Sequence, residues 1–232
     1  METISILKKM GLNMQQINML LGTLLGDGNL QTYSDGITWR YRALHSGSQK
    51  DYLMLKYKLL LEFCGTAPKE VQIWDKRTQK TYERVYFNTL THPIFKVLAD
   101  VFYADAYGAA GQPRKWVKII PKDISFMNFE VLAYFYMDVI VGGGGSIRPA
   151  TPYDGALKDK NGGKAIRLCT ECYVKDDVER LLLAIETKLN IKATLIPHGK
   201  GFRIYVPEKE ATKFHAVIYK HMHNCMLYKI RI

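Results

Sequence analysis

Leu20-Leu21-Gly22-Thr23-Leu24-Leu25-Gly26-Asp27-Gly28 decides how this chain folds. From Met14 to Gly26 the apolar residues Ile17, Leu20, Leu21, Leu24 and Leu25 recur with helical spacing, and Gly28 and Asn29 end the pattern. Small residues lie on one side, and an aspartate closes the run. The same device returns at Leu132-Ala133-Tyr134-Phe135-Tyr136-Met137-Asp138, followed by Val139-Ile140-Val141 and the glycines Gly142 to Gly145. Two such helices packed through their small faces would set two aspartates side by side. Paired carboxylates at helix ends suit a divalent cation.

The order of elements around these stretches repeats. After the first, Leu30–Tyr33 and Thr38–His45 read as a hairpin, Ser48 as the cap of a helix running to Phe63, Val71–Trp74 and Tyr82–Phe87 as a second hairpin, and His92–Tyr103 as a helix. After the second, itself expected to span Phe126–Val141, Ser146-Ile147-Arg148 and Lys164–Cys169 read as a hairpin. Lys175–Leu189 reads as a helix, Ala193–Ile196 and Phe202–Val206 as another hairpin, and Glu208–His221 as the last helix. The Gly- and Ala-rich run Ala104–Arg114 is the natural linker. The expected fold is mixed α/β: two pseudo-symmetric repeats, 1–108 and 118–232, joined by 109–117. Each is helix, two strands, helix, two strands, helix, with antiparallel sheets.

With 33 Lys plus Arg against 22 Asp plus Glu, the net charge of +11 favours a polyanionic partner, most often nucleic acid. The basic residues gather on the expected hairpins. Arg40 and Arg42 share a strand face; Lys76, Arg77, Lys80 and Arg84 lie on one hairpin; Arg148, Lys158, Lys160, Lys164 and Arg167 on another; Lys200 and Arg203 on a third. No apolar run reaches the roughly 18 residues of a membrane helix, and Met1-Glu2-Thr3-Ile4 lacks a signal-peptide pattern. Four cysteines do not make a disulfide scaffold at this length, so an intracellular, reducing compartment is expected. Cys169-Thr170-Glu171-Cys172, with His221, His223 and Cys225 downstream, has the wrong spacing for a zinc finger. It reads better as buried thiols and surface histidines.

These features together resemble the LAGLIDADG homing endonucleases, in the single-chain, two-motif branch found in group I introns. Leu20–Gly28 matches the nine-letter signature at Gly22, Gly26, Asp27 and Gly28. Leu132–Asp138 is similar to the branch's second motif. Lys118-Ile119-Ile120-Pro121 stands where the branch carries a lysine, and Met226-Leu227-Tyr228-Lys229 resembles its C-terminal methionine-x-tyrosine-lysine. The resemblance implies a monomer that lays a saddle of strands on double-stranded DNA and cuts it with Mg²⁺, or with Mn²⁺ in its place. It implies Asp27 and Asp138 as catalytic metal ligands with the Gly26 carbonyl beside them, and Lys118 and Lys229 near the scissile phosphates. It allows a bacterial, phage or organellar setting, and group I intron RNA as an alternative partner for a maturase.

The second motif departs from the pattern. With Leu132 aligned to Leu20, Val139 stands opposite Asp27, and Asp138 falls one position early. One residue is about 100° of helical rotation. Either the glycine run lets the helix end rewind, so that Asp138 joins the metal site, or the second site is dead and the protein nicks one strand or only binds.

Overall fold

The computed structural model describes residues 2–76, 78–106, 115–139 and 165–230. A short helix α1 (Glu2–Lys9) leads into α2 (Met14–Leu25). Asn13 and Gln16 close a reciprocal capping box at the start of α2 (Gln16 N to Asn13 Oδ1 3.0 Å, Asn13 N to Gln16 Oε1 2.9 Å), which satisfies two backbone donors of the first turn. Next come β1 (Asn29–Gln31), β2 (Arg40–Ser46), α3 (Lys50–Leu59), β3 (Lys69–Asp75), β4 (Lys80–Asn88) and α4 (Pro93–Phe102). The strands form an antiparallel sheet in the order β1-β2-β4-β3.

A hairpin of β5 (Tyr103–Ala106) and β6 (Lys115–Lys118) precedes the second motif helix, α5 (Phe129–Asp138). After it come β7 (Ile166–Leu168), α6 (Lys175–Leu189), β8 (Thr194–His198), β9 (Gly201–Val206) and α7 (Glu208–Tyr219). The sheet order β7-β9-β8 repeats the β2-β4-β3 part of the first sheet. For the described strands, the duplicated order read from the sequence is therefore present in space.

Strand alternation sorts the first sheet into two faces. Tyr41, Ala43, His45, Val85 and Phe87 are buried against the helices, while the pairs Gln31–Arg40, Arg42–Asn88, Leu44–Tyr86 and Ser46–Arg84 share the outer face. The core then runs without a break across both halves, because α2 and α5 pack directly on each other. A Cβ on Gly22 would stand 2.5 Å from both the Tyr134 Cβ and the Val131 carbonyl oxygen, and one on Gly26 would stand 2.6 Å from the Asp138 Cβ. Glycine is what allows the approach.

Three expectations are corrected. The helix expected from Ser48 to Phe63 is shorter, Lys50–Leu59, with 3₁₀ turns at Gly47–Gln49 and Leu61–Phe63, because the backbone leaves the helical range at Leu60 (φ −110°, ψ 18°). The linker run begins in strand, Ala104 pairing with Val117 and Ala106 with Lys115, and its remainder, 107–114, lies outside the described residues. The helix expected at 126–141 starts only after Asn128, whose side chain accepts from Val131 N, and stops at Asp138, since Val139 turns extended (φ −68°, ψ 132°). The strand expected at Ser146–Arg148 lies outside the described residues.

Candidate active site and nucleic-acid interface

The crossing of α2 and α5 brings their C-terminal ends together, where backbone carbonyls lose their helical partners and carry the negative end of the dipole. A lysine meets each end. Lys118 Nζ donates to the carbonyls of Gly26 (2.5 Å) and Gly28 (2.8 Å). Lys229 Nζ donates to those of Met137 (2.6 Å), Val139 (3.0 Å) and Tyr136 (3.4 Å). Burial holds both ammonium groups down near a pKa of about 8, against the pull of the neighbouring aspartates. The two lysines singled out in the sequence thus occupy matching places, as caps on the motif helices. Lys229 is buried and spends all three N–H donors on carbonyls. Lys118 is half-buried and spends two.

The aspartates do not match. Asp27 is exposed, and its carboxylate bonds no group among the described residues. It still feels the surrounding protein: loss of water first and repulsion from Asp138 second raise its pKa from 3.8 to about 6, while Lys118, Lys229 and Lys56 pull it down. Asp138 is buried. Its Oδ1 accepts from Lys56 Nζ at 2.5 Å and from the Tyr52 hydroxyl at 2.8 Å. Its Oδ2 is buried without a hydrogen-bond partner. The Gly26 carbonyl, expected beside the metal, accepts from the Lys118 ammonium.

Lys56 was missed in the sequence, although it left a signal. It lies on α3 in the stripe Tyr52, Leu53, Lys56, Leu60, where every other member is apolar and buried. Its ammonium lies 2.9 Å from His45 Nε2 and 4.3 Å from the Tyr52 ring centroid. Burial and the Lys56 charge push the His45 imidazole down to about 3, so the ring is neutral at ordinary pH.

On the outer face of the first sheet, Arg40 donates to Gln31 Oε1 (3.2 Å) and the Tyr33 hydroxyl (3.0 Å), and Arg42 stacks over Tyr86 at 5.0 Å. Arg84 shares this face through its pairing with Ser46, and Lys76 and Lys80 stand exposed near the β3–β4 turn. In the second half, Arg167 lies over Tyr205 at 5.5 Å and Lys200 is exposed in the β8–β9 turn. Arg203 is corrected: it is 3% exposed and its guanidinium bonds Glu171, which takes it out of the groups free to meet a phosphate. Arg77, Arg148, Lys158, Lys160 and Lys164 lie outside the described residues. Of the thiols, Cys172 is exposed rather than buried, and Cys169 and Cys225 are half-buried. Among the described residues no helix is long and apolar enough to cross a membrane.

Comparison with known proteins agrees with this architecture. Residues 17–214 match the model of the LAGLIDADG DNA endonuclease family. The chain is 41% identical over 229 residues to DNA endonuclease I-ChuI of Chlamydomonas applanata, covering 95% of this chain and 96% of that protein. It is 25% identical over 191 residues to the cytochrome b mRNA maturase bI2 of Debaryomyces hansenii, covering 81% of this chain but only 62% of the maturase. Its fold matches that of the homing endonuclease I-WcaI bound to its DNA recognition sequence, with a TM-score of 0.75 at 21% identity, over 95% of this chain and 88% of the other. Two crossed motif helices, a carboxylate at their shared end and a repeated strand order therefore have one source: the chain belongs to the LAGLIDADG DNA endonuclease family.

Proposed function

We propose that this chain is a divalent-cation-dependent homing endonuclease of a group I intron, which works inside the cell as a monomer on one long duplex DNA site. The observation that carries the reading is Asp27, an exposed carboxylate with no bonded partner among the described residues, where the two lysine-capped motif helices meet. Its hard oxygens suit Mg²⁺, with Mn²⁺ able to substitute, since Mg²⁺ keeps most of its waters and is held by one or two carboxylates plus substrate phosphate. When bound there, the ion supplies an activated water and stabilises the leaving oxygen.

The chain's own groups do the rest. Asp27 must be ionised to hold a cation, so its affinity falls as the pH drops below about 6. Lys118 keeps one N–H beyond the two it gives to carbonyls, which can meet a phosphate oxygen beside Asp27. Arg40, Arg42, Arg84, Lys76, Lys80, Arg167 and Lys200 position the phosphate backbone, and the polar side chains between them read base edges. Group I intron RNA has weaker support as a partner, because the maturase is the more distant of the two relatives by identity.

The test is incubation with a plasmid carrying the uninterrupted form of the gene that hosts the intron, with Mg²⁺, with Mn²⁺ and with a chelator. Cut product is expected with either metal and is expected to disappear with the chelator and in Asp27→Asn. A plasmid left intact under every metal condition refutes the proposal.

A further inference from the structure

The two motif helices are finished differently, although the chain repeats itself around them. The end of α2 is open: Asp27 reaches solvent and Lys118 has a donor to spare. The end of α5 is closed: Asp138 and Lys229 are buried, and Val139 is buried behind them. The group that closes it comes from the other half of the molecule. Lys56 on α3 reaches the Asp138 carboxylate at 2.5 Å, with neither side chain exposed, and Tyr52 adds a second bond at 2.8 Å.

We infer that Asp138 fastens the second motif helix to the first half through Lys56, and that cation binding in this chain rests on Asp27 without Asp138. The inference builds on the cation-dependent reading proposed above. Three observations carry it. The Lys56 ammonium already supplies the positive charge that Asp138 requires, so a second cation on that carboxylate would meet repulsion rather than vacancy. His45 Nε2 and the Tyr52 ring face the same ammonium, which identifies a built ion-pair site rather than a passing contact. The remaining oxygen, Oδ2, is buried away from water, whereas Mg²⁺ gives up its hydration shell reluctantly and needs an open approach. The Cβ of Asp138 also abuts Gly26, so the side chain is wedged in the helix crossing.

A buried ion pair has a recognisable thermodynamic signature. Removing one partner strands the other charge, whereas replacing both with apolar groups of similar size restores most of the loss. In the full chain, Lys56→Met, Asp138→Asn and Asp138→Leu are each expected to lower the melting temperature by roughly 10 °C. The double variant Lys56→Met/Asp138→Leu is expected to regain most of it. Mn²⁺ titration of the same proteins, read by electron paramagnetic resonance without DNA, supplies the second arm. The double variant should keep its Mn²⁺ affinity to well within the roughly 10-fold loss that follows damage to a ligand's surroundings, while Asp27→Asn should lose binding. Melting losses that simply add in the double variant would overturn the fastening role. A folded Asp138→Asn that loses Mn²⁺ as completely as Asp27→Asn would overturn the assignment of the metal to Asp27 alone. If the unaltered chain takes up no Mn²⁺ without substrate phosphate, the melting cycle decides the fastening role by itself, the plasmid assay decides the cation-dependent reading, and loss of plasmid cutting in the folded double variant would overturn the assignment of the metal to Asp27 alone.

Discussion

Gly22→Ala tests the helix crossing on which the whole centre depends. Helix propensity alone makes this a stabilising change, by about 1 kcal/mol, because glycine is a poor residue inside a helix. The crossing opposes it. The added methyl would stand 2.5 Å from the Tyr134 Cβ, 2.5 Å from the Val131 carbonyl oxygen and 3.2 Å from the Phe135 amide nitrogen. Carbon atoms pack best at roughly 3.5–4.0 Å, so α2 and α5 would have to part by about 1 Å. Two of the three atoms are backbone and the third is a Cβ, so no rotamer change relieves the overlap. Overpacking costs about 1–3 kcal/mol, and a clash with rigid atoms belongs at the upper end. The net loss is then about 2 kcal/mol, which for a chain of this size lowers the melting temperature by about 4–8 °C. Thermal unfolding followed by circular dichroism, without DNA or metal, measures it. A melting temperature equal to or above that of the unaltered chain would refute the packing argument and leave helix propensity as the governing effect.

Duplex affinity should fall steeply with salt, with a log–log slope near −5 for about six neutralised phosphates; a flat response in a filter-binding or fluorescence titration counts against the basic outer face. Lys229→Met strands the three carbonyls at the end of α5 that its ammonium serves. The cost expected is about 2–4 kcal/mol, read as a lower urea midpoint, and an unchanged midpoint removes the capping role. His45 links stability to acid. Its folded pKa of about 3 lies below the ordinary 6.5, so the unfolded chain takes the proton first as the pH falls. The stability this ring contributes is complete above about 6.5 and is lost progressively toward about 3. His45→Gln should therefore show a shallower fall in urea midpoint over that range, and identical pH slopes in the two proteins rule the linkage out.

Much of the fold was legible because its signals are local. Helical spacing placed α2, and apolar alternation between turn residues placed the hairpins; α6 came out with the same bounds, Lys175–Leu189, in sequence and structure. What escaped depends on distant partners. The β5–β6 hairpin is two four-residue strands flanking a run rich in Gly and Ala, and only their pairing with each other makes them strands. The end of α5 was ambiguous because helical rotation alone could not say whether Asp138 would turn toward Asp27 or away. Lys56, 82 residues earlier in the chain, turns it inward. A lysine in an apolar stripe is visible in the sequence, but the carboxylate that it serves is not.

The unequal packing at the crossing also bears on how this chain differs from a symmetric pair of halves. Gly22 and Gly26 on α2 are the hollows into which Tyr134 and Asp138 of α5 fit. Each helix is the mould of the other, and neither is a mould of itself. Two copies of the second half would set tyrosine against tyrosine, and a buried aspartate against its own like, with no hollow for either. At this crossing the duplication has thus become complementary: the hollows lie on the first motif and the side chains that fill them on the second.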